Sequence, residues 1–181
     1  MKPEQFIREY GVEKAREVVE GAPESASLVF YYFDEVNDEL LGPEYYRDNG
    51  SQHFNKENNS WGFCLDPQII VTEPHDALVS VEDLKRLVES LDRFNKFEDK
   101  QEALDAIDDA PEGATDYRKL SCGTRYIKQG PRFFEYWNGS EWCRPTVPFT
   151  VETHILRFDK LEDLKQSIKD HESIYGGSHE S

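Results

Sequence analysis

Few residues in this chain have the types and spacing that do covalent chemistry. The histidines His53, His75, His154, His171 and His179 are scattered. None pairs with a cysteine or a second histidine at metal-ligand spacing. Cys64, Cys122 and Cys143 make an odd count with no paired spacing, so free thiols in a reducing compartment are expected. No histidine lies close in sequence to turn any of them into a thiolate nucleophile. Carboxylates abound, but Glu82-Asp83 and Glu162-Asp163 fall in first helical turns, where negative charge suits the helix dipole. Asp105, Asp108, Asp109 and Glu112 read as a solvated helix face. There is no glycine-rich phosphate loop and no Gly-x-Ser-x-Gly elbow. The chain is therefore read as non-enzymatic, with no catalytic residue, metal or cofactor.

Two constellations point to binding instead. Asp34, Glu35, Asp38, Glu39, Glu44 and Asp48 crowd one region against Arg47 alone. Such spacing can imitate a nucleic-acid backbone and occupy the basic groove of a nucleic-acid-binding protein. The other constellation runs from Tyr117 to Phe134 and on to Trp137, and it holds no acid before Glu135. There Tyr117, Tyr126, Phe134 and Tyr136 interleave with Arg118, Arg125, Lys128 and Arg132. Aromatic side chains beside cations on a sheet suit a nucleotide or single-stranded nucleic acid. Alternation on a strand puts Phe134 and Tyr136 on one face and Phe133 and Trp137 on the other, so only one set is open to a ligand.

These residues need elements to hold them. Apolar spacing predicts helices over Pro3 to Tyr10 and Val12 to Glu20, stopped by Gly11 and Gly21. Leu28 to Phe33, Tyr45 to Arg47, Gln52 to Asn55, Trp61 to Leu65 and Gln68 to Thr72 read as strands, with turns at Gly42-Pro43 and Asp48-Asn49-Gly50. Val81, Leu84, Leu87, Val88 and Leu91 form a stripe on a helix over Val81 to Phe94, with Ser80 placed to cap it. A charged linker, Asn95 to Lys100, leads to a helix over Lys100 to Asp109. Strands follow near Tyr117 to Leu120, Arg125 to Gln129, Arg132 to Trp137, Glu141 to Arg144 and Thr150 to Phe158. A helix over Lys160 to Asp170 and a frayed tail close the chain.

Order and motif repeat. Ala22-Pro23-Glu24-Ser25-Ala26-Ser27 matches Ala110-Pro111-Glu112-Gly113-Ala114-Thr115, and Glu82-Asp83-Leu84-Lys85 matches Glu162-Asp163-Leu164-Lys165. The expectation is an α+β protein of two duplicated modules, 1–94 and 95–181. Each is an antiparallel meander flanked by an N-terminal and a C-terminal helix. Net charge is −16. Residues 1–92 hold 20 acidic and 8 basic side chains, net −12, and residues 93–181 hold 17 and 13, net −4. Direct DNA binding and membrane association are not expected of such a chain. No apolar run is long enough for a membrane span and no signal-peptide core is present, so a soluble, intracellular protein is expected.

Ala110-Pro111-Glu112-Gly113-Ala114-Thr115, the tyrosine-rich hairpin and Trp137-Asn138-Gly139-Ser140-Glu141-Trp142 resemble a module of accessory proteins in tailed phages and prophages. Asn58-Asn59-Ser60-Trp61 departs from it, lacking the glycine and the first tryptophan. The resemblance transfers no catalytic residue. It implies a setting, the cytoplasm of an infected bacterium. It also implies a role, inhibition or modulation of a host protein, such as a nucleic-acid-handling defence enzyme, through the acidic surface. Sequestration of nucleotides or single strands by the aromatic-basic face is the alternative.

Overall fold

The computed structural model describes residues 1–34, 39–63, 78–131, 133–145 and 158–176. Among these, helices and two five-stranded antiparallel sheets make an α+β protein. The chain divides into two compact units, Met1–Glu89 and Ser90–Gly176, each carrying one sheet.

The first unit opens with α1 (Pro3–Tyr10) and α2 (Val12–Gly21). Gly11 separates them at φ +86°, a left-handed conformation that glycine adopts without strain. β1 (Leu28–Asp34), β2 (Glu39–Arg47), β3 (Gln52–Asn55) and β4 (Ser60–Phe63) form the meander, and β5 (Leu78–Ser80) pairs with β1 at its far edge. The sheet order is β4-β3-β2-β1-β5. Gly42-Pro43 does not turn the chain as expected. It lies inside β2, where Phe30 pairs with Glu44 and Tyr32 with Leu41, leaving Tyr31 opposite two residues. That is a β-bulge. A Cβ on Gly42 would meet Tyr31 Cδ1 at 2.9 Å and Phe30 O at 3.0 Å, so the bulge needs glycine there. The strand expected over Gln68 to Thr72 lies outside the described residues. Next comes α3 (Val81–Phe94), with the expected bounds, and Ser80 Oγ accepts Asp83 N at 3.1 Å. The division between units falls within this helix.

The second unit continues through α4 (Lys100–Asp108), capped by Asp99, whose Oδ1 accepts Glu102 N at 2.8 Å. β6 (Asp116–Leu120), β7 (Gly123–Gly130), β8 (Phe133–Trp137), β9 (Trp142–Cys143) and β10 (Asp159–Lys160) follow. α5 (Leu161–Tyr175) closes the unit and runs beyond the expected Asp170. The order is β10-β6-β7-β8-β9. Phe94 and Phe97 join the core with Ala103, Ala106, Tyr117, Tyr126, Leu161, Leu164 and Ile168. The stretch expected as a charged linker therefore contributes an anchor. Thr150 to Arg157 lie outside the described residues, and Phe158 precedes β10 without joining a strand.

The two units share their strand order, last-first-second-third-fourth. Their hydrogen bonds match as well. Ala26 N donates to Pro23 O at 3.0 Å and Ala114 N to Pro111 O at 2.9 Å. Ser27 N donates to Tyr46 O and Thr115 N to Ile127 O, both at 2.9 Å. Val81 N donates to Ser27 O and Leu161 N to Thr115 O, both at 3.0 Å. Tyr45 Oη donates to Val18 O and Tyr126 Oη to Ala106 O, both at 2.8 Å. Each tyrosine satisfies a last-turn helix carbonyl that the helix itself leaves open. The amide four residues on bonds elsewhere in both cases, Ala22 N to Val19 O and Ala110 N to Ile107 O.

Candidate functional site

Register decides which side chains of the second sheet are available. Tyr117 pairs with Tyr126, so both point to one face, and the Tyr126 bond to Ala106 shows that α4 lies on it. Tyr117 is 0% exposed and Tyr126 7%. Burial raises both phenol pKa values, with Asp159 adding to the effect at Tyr117 and Asp109 at Tyr126. Tyr117 is thereby closed to stacking, while Tyr126 also borders the cleft of this sheet. They are core residues that hold the sheet to its helices. Lys128 falls on the same face. It sits 3.8 Å from Glu135 Oε2 and 5.8 Å from the Trp142 ring centroid, and its chain lies over Gly113. It too drops out of the candidate ligand set. Arg132 lies outside the described residues.

The opposite, open face carries the rest. Arg118 and Arg125 are direct cross-strand partners, and Ile127 pairs with Tyr136 one step along. Together with Tyr126, Phe134, Trp137, Asn138 and Phe158 they line a cleft of about 530 Å³, in which Ile127 is itself only 1% exposed. Its size suits a small organic ligand. Two like charges directly opposite on a sheet repel each other. Among the described residues neither guanidinium has a carboxylate partner. Tyr136 is 41% exposed. Trp137 packs against the core on the helix side, as the strand alternation requires, and also borders the cleft.

Four lining residues lie outside the expected ligand set: Ile127, Trp137, Asn138 and Phe158. Alternation from Arg125 could have placed Ile127 beside it. Asn138 owes its place to a loop in which its Oδ1 accepts both Ser140 N and Glu141 N at 2.9 Å. The Trp-Asn-Gly motif thus has a folding explanation. Its loop turns β8 into β9, and Trp142 Nε1 donates to Glu112 O at 3.1 Å, which ties the loop to the Ala-Pro-Glu-Gly turn.

The acidic set is only partly in view. Asp34 and Glu39 occupy directly opposed positions at the ends of β1 and β2. Glu35 and Asp38 lie outside the described residues. Glu44 and Asp48 are already engaged: Glu44 Oε2 accepts Tyr46 Oη at 3.0 Å, and Asp48 Oδ2 accepts Gln52 Nε2 at 2.8 Å. Among the described residues no group of three or more His, Cys, Asp or Glu could hold a metal ion, and no helix is long and apolar enough to cross a membrane.

Comparison of the chain with family models, curated proteins and solved structures gives no match.

Proposed function

We propose that this is a non-enzymatic binding protein whose second unit takes a small anionic ligand with a flat ring, of the nucleotide class, on its open sheet face. The observation that carries the reading is the opposed pair Arg118 and Arg125, without carboxylate partners among the described residues, in a cleft that also holds Tyr136. Charge-assisted, bidentate contacts from guanidinium to phosphate offset the repulsion within the pair. A tyrosine face suits a base. A free nucleotide is preferred to a long strand, because phosphates beyond this pair meet a chain of net charge −16.

The test is calorimetric titration of the full chain with nucleoside 5′-monophosphates and with a single-stranded oligonucleotide. The expected result is saturable mononucleotide binding that weakens by about 100-fold when Arg118 and Arg125 are both changed to Glu, given about 1.5–3 kcal/mol per charged hydrogen bond. Unchanged affinity in that variant, or no binding by the wild type, ends the reading.

The matched strand order and hydrogen bonds also support descent of the two units from one duplicated module. A second reading concerns the first unit. Asp34 opposite Glu39 is a cross-strand pair of acids, and most of the net charge lies in residues 1–92. These favour an acidic surface that binds a basic host protein in a phage-infected cell, as the resemblance implies. Neutralising Asp34, Glu35, Asp38 and Glu39 together should release such a partner from a salt-sensitive complex. A complex that survives the change unaltered removes this second reading. The geometry favours the nucleotide reading, since Glu44 and Asp48 of the acidic set are already hydrogen-bonded within the unit.

A further inference from the structure

Register lays out the open face of the second sheet in rows across its strands. The strand order there runs β10-β6-β7-β8. Arg118 of β6 stands directly opposite Arg125 of β7. A ring lies outside this pair on each side. Asp159 pairs with Tyr117 on the helix face, so its neighbour Phe158 falls on the open face beside Arg118. On the far side Tyr136 of β8 pairs with Ile127, two residues from Arg125. All four side chains line the one cleft. The order across the sheet is thus ring, guanidinium, guanidinium, ring.

Ile127 lies closed between them at 1% exposed and offers a ligand no ring position. The accessible surface is at the flanks. Tyr136 is 41% exposed, Arg125 is exposed, and Arg118 and Phe158 are half-buried. Phe158 and Tyr136 stand three strand spacings apart, about 14 Å. A nucleoside monophosphate has one base and reaches one of them.

Building on the reading of this face as a nucleotide site, we infer that it takes a dinucleotide whose two nucleosides are joined 5′ to 5′ through a pyrophosphate. One base stacks on Tyr136 and the other on Phe158. Each phosphate carries one negative charge and meets one guanidinium, which offsets the repulsion between Arg118 and Arg125. A single bridging phosphate, as in a 3′–5′ link, leaves one guanidinium without an anion. Among the described residues the first unit has no such pair. Matched backbone bonds, Ile127 O accepting Thr115 N and Tyr46 O accepting Ser27 N, align the two sheets. In that alignment Phe30 with Glu44 stands where the second unit has Arg118 with Arg125. The chain therefore holds one ligand.

The experiment is calorimetric titration of the full chain with diadenosine 5′,5′-pyrophosphate, with the 3′–5′ dinucleotide ApA and with AMP. The expected result is one pyrophosphate-linked dinucleotide per chain, bound at least about tenfold tighter than AMP or ApA, since a second base adds a stacking contact. Phe158→Leu keeps apolar bulk and removes the flat ring. It should weaken the pyrophosphate dinucleotide about tenfold and leave AMP unchanged, whereas Tyr136→Leu should weaken both. If neither AMP nor a dinucleotide binds, the nucleotide reading itself fails. If AMP binds but the pyrophosphate dinucleotide binds no tighter, ApA matches it, two sites appear, or Phe158→Leu changes both affinities alike or neither, the two-ring inference fails and the nucleotide reading stands. Ligand preference and site number decide the matter even if Phe158→Leu does not fold.

Discussion

At the scale of single residues, three buried tyrosines separate packing from hydrogen bonding. Tyr45 and Tyr126 each donate to an otherwise open helix carbonyl, whereas the Tyr117 hydroxyl is buried without a hydrogen-bond partner among the described residues. A buried hydroxyl without a partner costs free energy that a made bond recovers. Tyr45→Phe and Tyr126→Phe should therefore each destabilise by about 1 kcal/mol in urea denaturation. Tyr117→Phe should be neutral or stabilising. A loss at Tyr117 equal to that at Tyr126 would mean that its hydroxyl has a partner after all. The same residues show what the sequence pattern leaves open. Tyr117 and Tyr126 stand beside arginines in sequence, and the pattern alone cannot tell which alternate set faces the helices. Pairing Tyr117 with Tyr126 settles it, and that register follows from how β6 turns into β7 at Ser121 and Cys122.

At the scale of elements, periodic stretches were legible and pairing-defined ones were not. The Val81–Phe94 helix has its expected bounds because Leu84, Leu87 and Leu91 make a full buried stripe and Ser80 caps it. β5 and β10 are three and two residues long, too short to carry a period. They exist through bonds to β1 and β6. The N-terminus of α4 shows what such local devices contribute. Asp99 caps it, Glu98 N donates to Glu102 Oε2 at 2.8 Å, and Lys119 bonds Glu102 from β6. Asp99→Ala should cost about 1 kcal/mol in urea denaturation, and no measurable cost would mean that the cap contributes nothing. The Lys119 hydrogen bond, then the Glu98 amide, holds the Glu102 carboxyl below the ordinary glutamate range. A depressed carboxyl stabilises the fold above its unfolded pKa of about 4.3, and that contribution is lost as pH falls through the lower folded value. Glu102→Gln should thus flatten the acid limb of the stability curve relative to wild type. An acid limb of unchanged slope would mean that this carboxyl is not held down.

At the scale of the whole molecule, charge sets two salt dependences of opposite sign. Thirty-seven acidic side chains against 21 basic ones repel one another in the folded chain, and unfolding relaxes that repulsion. Added salt screens it, most steeply at low ionic strength, where the Debye length is about 30 Å at 0.01 M and about 10 Å at 0.1 M. The melting temperature should therefore rise between about 10 mM and 100 mM NaCl and level off above. A nucleotide held by Arg118 and Arg125 responds the other way, since its attraction is screened by the same ions. Measuring both on one preparation separates local from global charge. Affinity should fall over the range in which the melting temperature climbs. Changing both arginines to Glu should abolish the binding while leaving the rise in melting temperature in place. If nucleotide affinity instead grew with salt, the ligand would be held by apolar contact with Tyr136, and the arginine pair would have no part in binding it.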